Sequence, residues 1–180
     1  MTFKDIVNFT EAEWETMIKT TEMSLEFLTE HAPYIPDNTW TQIAKHQKLT
    51  EEFIIDFHYF LPISTLVSNQ KVHQNVIEKN LEIFSKYMWH VCRYQYLTEQ
   101  FMIKHMDIVH WKNIFKFQKH ISISFIKNYF HKIPEEYIYN NGDFFSISVL
   151  KKHGNLIDNL VEKHNDKIRV LSAARGKRWR

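Results

Sequence analysis

The chain has 180 residues, a formal net charge of +2, 44% apolar and 15% aromatic residues, and only three glycines and four prolines. This composition excludes a disordered chain, and the scarcity of glycine and proline argues against a sheet built from many tight hairpins. A single cysteine excludes an internal disulfide, and no stretch reaches the ~18 uninterrupted apolar residues that a membrane-spanning helix needs.

Charge is distributed unevenly along the chain. Residues 1–40 hold eight acidic and two basic residues, a net charge of −6, whereas residues 151–180 hold nine basic and three acidic residues, a net charge of +6. An acidic head and a basic tail suit self-association or binding of the tail to an acidic partner.

The first predicted element is a helix that begins after Thr10. Thr10 and Glu13 have the spacing of a capping box, and apolar residues from Trp14 to Leu28 recur at helical spacing. The pattern predicts one helix of about five turns, ended by Pro33 and Pro36. We therefore interpret residues 1–37 as an N-terminal capping helix and linker.

Residues 38–133 repeat a short pattern, which is clearest in residues 40–54. Glutamines recur at positions 47, 70, 95 and 118, so the repeat period is 23 to 25 residues. The aromatic, aliphatic and glutamine positions predicted to form the repeat core are Trp40, Ile43, Gln47, Leu49, Phe53, Gln70, Trp89, Gln95, Phe101, Trp111, Gln118 and Phe125.

The pattern predicts two short helices in each repeat. The first half spaces its apolar residues three or four apart, and the second half begins with a capping residue, namely Thr50, His73, Thr98 or Ser122. Helices this short need neighbours, because nucleation is costly and each buries only one stripe. The sequence therefore predicts a single all-α domain of short tandem two-helix repeats, stacked in a compact solenoid-like bundle.

Residues 134–180 are predicted to hold a loop at Pro134–Asp143, a weaker fifth copy, and a final helix from Asn155 toward Ala174. The chain then ends in a basic tail. The tail residues that could bind nucleic acid or another acidic partner are Arg169, Arg175, Lys177, Arg178, Trp179 and Arg180.

Residues 40–54 resemble a short repeat that is frequent in proteins of bacteriophages and large DNA viruses. Its pattern is Trp-x-x-Ile-x-x-x-Gln-x-Leu-(Ser/Thr)-Glu-x-Phe-Ile, which residues 89–102 and 111–126 follow with small shifts. The second copy departs most, with Ile63 at the tryptophan position. The resemblance covers about half the chain and implies a viral source and a helical repeat scaffold, with no particular activity.

Residue patterns typical of catalysis are missing from the sequence. The eleven histidines include no pair spaced i, i+4, and no His-Glu-x-x-His or paired-cysteine motif occurs. His90 lies two residues from Cys92, on the opposite side of a helix, and the three glycines form no phosphate-binding loop. We expect a non-enzymatic protein without a metal or cofactor.

Two alternatives stay open for the repeated residues. The glutamines could grip an extended peptide or nucleic-acid strand, or each could satisfy the backbone of the turn into the next helix. The tryptophans could stack on bases or serve as core residues. We favour the structural role for both sets.

Three functions follow from these patterns. The first is a viral interaction module that binds a host or viral protein through its helical-repeat surface, in the cytoplasm of the infected cell and away from any membrane. The second is a nucleic-acid-binding accessory protein that uses the basic tail, and the third is a self-assembling structural component.

Overall fold

The computed structural model describes residues 9–133, residue 155 and residues 157–160, 162–163 and 166. Every regular element in these ranges is a helix, which confirms the predicted all-α fold. The chain divides into two compact units, residues 1–96 and residues 97–180, and each is described by itself.

The first unit contains eight described α-helices and two 3-10 turns. The helices are α1 (Glu11–Thr20), α2 (Leu25–His31), α3 (Asp37–His46), α4 (Glu51–Asp56), α5 (Ile63–Asn69), α6 (Gln74–Lys79), α7 (Leu81–Phe84) and α8 (Met88–Tyr94), and the 3-10 turns are Ala32–Tyr34 and Ser85–Tyr87. In this unit α1 packs on α3, α3 on α5 and α5 on α8. The first helices of successive pairs are therefore neighbours in space.

The second unit contains three described α-helices and one 3-10 turn. These are α9 (Glu99–Lys104), α10 (Trp111–Phe117), α11 (Ile123–Tyr129) and the turn Phe130–Lys132. The described residues between 155 and 166 are also helical, and Ile157 is buried. The predicted loop at 134–143, most of the weaker fifth copy and the C-terminal end of the final helix lie outside the described residues.

The predicted capping residues begin the helices that they were expected to begin. Thr50, Thr98 and Ser122 each accept a hydrogen bond from the backbone N–H three residues later. His73 accepts one from the N–H of Asn75 at 3.4 Å. These bonds satisfy amides of the first helical turn, which have no partner within the helix.

The prediction of one five-turn N-terminal helix is wrong. Thr10 and Glu13 do form the capping box, but α1 ends at Thr20, and Ser24 begins the second helix by accepting a hydrogen bond from the N–H of Phe27. Residues 11–31 are thus another pair of short helices joined by an extended linker. The apolar stripe continued across the break and concealed it, because a stripe alone does not distinguish one helix from two.

Aromatic stacking fills much of the core of each unit. In the first unit Trp40 stacks on Phe57 and Phe60, with ring centroids 5.9 and 5.1 Å apart. In the second unit Trp111 stacks on Phe125 and Tyr129 at 6.0 and 5.4 Å. Trp40 is fully buried and Trp111 half-buried, so both contribute to packing as expected from their positions in the repeat.

Candidate functional site

The linker glutamines, Gln47, Gln70, Gln95 and Gln118, end the first helix of their respective helix pairs. The side chain of Gln70 reaches back to the preceding pair. Its Nε2 donates to the backbone carbonyls of Ala44 and Gln47, both at 2.9 Å, and its Oε1 accepts from the N–H of Leu49 at 3.4 Å. Both amide donors of Gln70 are therefore used within the protein.

The same contacts recur in the first unit. Gln95 donates to the carbonyls of Val67 and Gln70 and accepts from the N–H of Val72. Gln47 donates to the carbonyls of Ile18 and Thr21 and accepts from the N–H of Met23. In the second unit Gln118 accepts from the N–H of Leu97 at 3.3 Å.

These bonds satisfy backbone groups that are left without partners where each first helix ends. The residue that ends α5, Gln70, is extended, with φ −118° and ψ 153°, so the chain leaves the helix without the left-handed turn that would satisfy its last carbonyls. The amide of Gln95 supplies the missing donor. We expected each glutamine to serve the turn that follows it in the chain; the structure corrects this, because the glutamine serves the equivalent turn one repeat earlier.

The glutamine bonds also set the register of the repeat, and this register corrects the assignment of Trp89. In the second and third pairs the residue seven positions before the glutamine is buried, namely Trp40 before Gln47 and Ile63 before Gln70. In the fourth pair that position is Met88, which is 3% exposed, whereas Trp89 is 41% exposed. Trp89 is therefore not a core residue, since one step along a helix turns a side chain by about 100°.

Trp89 belongs to an exposed aromatic surface on α8 and the linker that follows it. We define the α8 patch as Trp89, Tyr94 and Tyr96, which are 41%, 46% and 65% exposed, together with Arg93. The guanidinium of Arg93 lies 5.3 Å from the ring centroid of Trp89 and 5.1 Å from that of Tyr94. Cation–π contacts of this kind contribute about 0.5–1 kcal/mol at exposed sites.

The equivalent positions of the other pairs in the first unit are not aromatic. Counting from the glutamine, the residues that correspond to Trp89, Tyr94 and Tyr96 are Thr41, His46 and Lys48 in the second pair, and Ser64, Asn69 and Lys71 in the third. The fold thus accepts small or polar side chains at these positions. Packing in the repeat does not require the aromatic residues of the α8 patch.

A cleft of about 370 Å³ opens elsewhere in the first unit. Its lining residues are His58, Tyr59, Ile63, Glu82, Ile83, Lys86 and Tyr87. The Nδ1 atom of His58 lies 2.7 Å from the carbonyl of Ile55. A neutral His58 therefore carries its proton on Nδ1 and has Nε2 as an acceptor.

In the second unit, His110 has a perturbed protonation equilibrium and a structural role. Its Nδ1 accepts a hydrogen bond from the N–H of Asn113 at 3.3 Å and so caps α10. Burial lowers the pKa of His110 below its ordinary value, and the nearby charge of Lys112 lowers it further. The fold therefore favours the neutral imidazole, which is the form that can accept this bond.

The described residues offer few groups for catalysis or metal binding. Within the described ranges no three side chains of His, Cys, Asp or Glu are placed to share a metal ion. Cys92 is fully buried in α8, where a free cysteine packs as a small apolar residue. The tail residues Arg169, Arg175, Lys177, Arg178, Trp179 and Arg180 lie outside the described residues.

Comparisons of the chain with protein-family models, curated protein sequences and solved structures find no match. Among the helices of the described ranges, none combines the length and the apolar character needed to cross a bilayer.

Sequence reasoning missed the α8 patch because it aligned the tryptophans rather than the glutamines. A signal was nevertheless present: Trp40 and Trp111 precede their glutamines by seven residues, while Trp89 precedes Gln95 by six. Alignment on the glutamines would have moved Trp89 from the buried face to the outer face.

Proposed function

We propose that this chain is a non-enzymatic interaction module that binds another protein through the α8 patch. The observation that supports the proposal is the exposure of Trp89, Tyr94 and Tyr96 at positions where the second and third pairs carry small or polar residues. Tryptophan, tyrosine and arginine are the residue types that contribute most binding energy at protein interfaces. The patch carries all three.

The proposal includes a solenoid-like stack of two-helix repeats as the scaffold. Two observations support it: the first helices of successive pairs in the first unit pack on one another, and Gln47, Gln70 and Gln95 each bond to the same three backbone positions of the preceding pair. Repeats that contact only their neighbours can tolerate a change in the outer residues of one repeat without a change in the others. Such a scaffold can therefore carry a binding surface on a single repeat.

We further propose that the chain is viral and that its partner is a host or viral protein in the cytoplasm of the infected cell. This part rests on the resemblance of residues 40–54 to the viral repeat pattern.

Nucleic-acid binding by the tail is a second candidate, because residues 169–180 carry five cationic side chains and Trp179. A chain that ends at residue 168 should then lose binding to a labelled oligonucleotide, and the binding of the full chain should weaken steeply with added salt. Self-assembly through the acidic head and basic tail is a third candidate. It requires a mass above that of a monomer in light scattering at low salt.

The α8 patch can be tested with residues taken from within the same protein. The triple substitution Trp89→Ser, Tyr94→Asn and Tyr96→Lys gives the fourth pair the outer residues of the third. We expect this variant to fold and to lose its partner, since the loss of one aromatic hot-spot residue costs roughly 2 kcal/mol or more, about thirtyfold in affinity.

The matched control is the double substitution Thr41→Ser and His46→Asn, which makes the same kind of exchange in the second pair. Both variants and the original chain would be used as bait in infected cells with proximity crosslinking. The proposal predicts a protein that the original chain and the control recover equally and that the triple variant does not. Equal recovery of that protein by the triple variant, with an unchanged melting temperature, would contradict it.

A further inference from the structure

The linkers of successive helix pairs lie side by side in the first unit. The Nε2 of each glutamine bonds to the carbonyl at the glutamine position of the preceding linker, at 2.9 Å for Gln47 to Thr21 and Gln70 to Gln47 and at 2.8 Å for Gln95 to Gln70. Side chains one residue further along each linker are therefore brought into a line. We define the linker edge as these residues, Glu22, Lys48, Lys71 and Tyr96.

One ion pair shows that residues of the linker edge are neighbours. The Nζ of Lys48 lies 2.8 Å from a carboxylate oxygen of Glu22, and both side chains are largely exposed. Lys71 follows Lys48 by the same repeat step, and Tyr96 of the α8 patch follows Lys71. The edge thus runs from a carboxylate through two lysines to exposed aromatic side chains.

Acidic residues are scarce in the first helices and linkers of the second to fourth pairs. Residues 63–73 and 88–98 contain no Asp or Glu, and residues 37–50 contain only Asp37, in the first turn of α3. The same segments contain the cations Lys45, Lys48, Lys71 and Arg93. Lys48 and Lys71 each follow the C-cap residue of a first helix, and both are exposed.

We infer that the linker edge binds a short, extended, acidic segment of a partner protein, with apolar side chains of that segment resting on the α8 patch. The inference rests on the proposed function and specifies the chemistry of the partner. Helices pack about 8–10 Å apart, so the distance from Lys48 across two repeat steps to Tyr96 is about 20 Å, the length of roughly six extended residues. Carboxylates in this segment would meet the ammonium groups of Lys48 and Lys71.

The charge sequence of the edge favours a polypeptide over a nucleic-acid strand. Residues 11–37 carry seven acidic residues and one lysine, and Glu22 of that pair lies directly beside Lys48. A strand with one phosphate per nucleotide that continued past Lys48 would meet these carboxylates. A peptide can end its acidic stretch after six residues, and its side chains can supply both charge and apolar surface.

Fluorescence anisotropy of the full chain with three labelled probes tests the inference. The probes are an eight-residue peptide of alternating glutamate and leucine, the same peptide with lysine in place of glutamate, and a twelve-nucleotide oligothymidine. We expect the acidic peptide to bind at least about tenfold more tightly than the other two, with an affinity that falls as salt is raised.

Charge reversal on the edge provides the second arm. Lys71→Glu should weaken binding of the acidic peptide by about fivefold or more, since exposed ion pairs contribute up to roughly 1 kcal/mol each. Lys79→Glu is the matched control, because Lys79 is also exposed but lies in the last turn of α6, the second helix of its pair. This control should leave the affinity unchanged.

Three results would overturn the inference: equal binding of the lysine peptide, tighter binding of the oligothymidine, or equal effects of Lys71→Glu and Lys79→Glu. Failure of the inference can be distinguished from failure of the proposed function. If the acidic peptide does not bind while capture of a protein still depends on Trp89, Tyr94 and Tyr96, the partner is a protein that does not use the linker edge.

Discussion

The bonds made by Gln95 are the most direct test of how the helix pairs are joined. Its amide serves two backbone carbonyls and one backbone N–H of the preceding pair, and the side chain is buried. Gln95→Met keeps a side chain of similar length and removes all three hydrogen bonds. It leaves the carbonyl of Val67 and the N–H of Val72 without partners in a buried setting.

The expected cost follows from the number of bonds that are lost. A hydrogen bond contributes about 0.5–1.5 kcal/mol net, and a buried polar group left without a partner costs about 1–3 kcal/mol. Water that reaches some of these groups reduces the sum. We therefore expect the free energy of unfolding of the Gln95→Met variant to fall by about 2–4 kcal/mol, a large share of the ~5–15 kcal/mol that typical domains possess.

Urea unfolding followed by circular dichroism measures this loss. Gln100→Ala is the control, because Gln100 is an exposed glutamine in the first turn of α9. We expect this control to change stability by less than about 0.5 kcal/mol. If Gln95→Met costs no more than the control, the glutamine bonds do not hold the helix pairs together.

The remaining predictions concern register, capping and pH. Met88→Ala should destabilise the protein by about 2–5 kcal/mol, because Met88 is buried. Trp89→Ser should cost about 1 kcal/mol or less, because it removes only an exposed ring and its contact with Arg93. Thr98→Ala should cost about 1 kcal/mol by removing the bond to the N–H of Phe101. The pKa of His110 is lowered in the fold, so the neutral imidazole contributes to stability above its ordinary pKa of about 6.5. This contribution should be lost as the pH falls from about 6.5 toward the lower pKa of the folded state. His110→Asn keeps a capping side chain, and its melting temperature should therefore depend less on pH in this range.

Each of these predictions has a contradicting result. Equal destabilisation by Met88→Ala and Trp89→Ser in thermal melts would reject the glutamine-based register. An unchanged melting temperature for Thr98→Ala would show that the cap is replaced by solvent. The pH prediction fails if the His110→Asn variant loses stability between pH 7 and pH 5 as steeply as the original chain does.

Local patterns in the sequence were sufficient to predict the fold class and most helix starts. Thr50, Thr98 and Ser122 could be recognised because a cap acts on amides only two or three residues away. The capping box at Thr10 and Glu13 could be predicted for the same reason. The end of α1 at Thr20 could not be predicted in this way, because the apolar stripe continues past it. The amide that donates to the carbonyls of Ile18 and Thr21 belongs to Gln47, 26 to 29 residues further along the chain.

The sequence by itself determined that this protein is helical and that its glutamines recur every 23 to 25 residues. Only the tertiary structure decided what the glutamines do, since the backbone groups they bind lie one repeat earlier and become neighbours only when the helices pack. The same long-range bonds decided the register of the fourth pair. They place Met88 in the core and leave Trp89 on the surface, a distinction of one residue that local periodicity does not make.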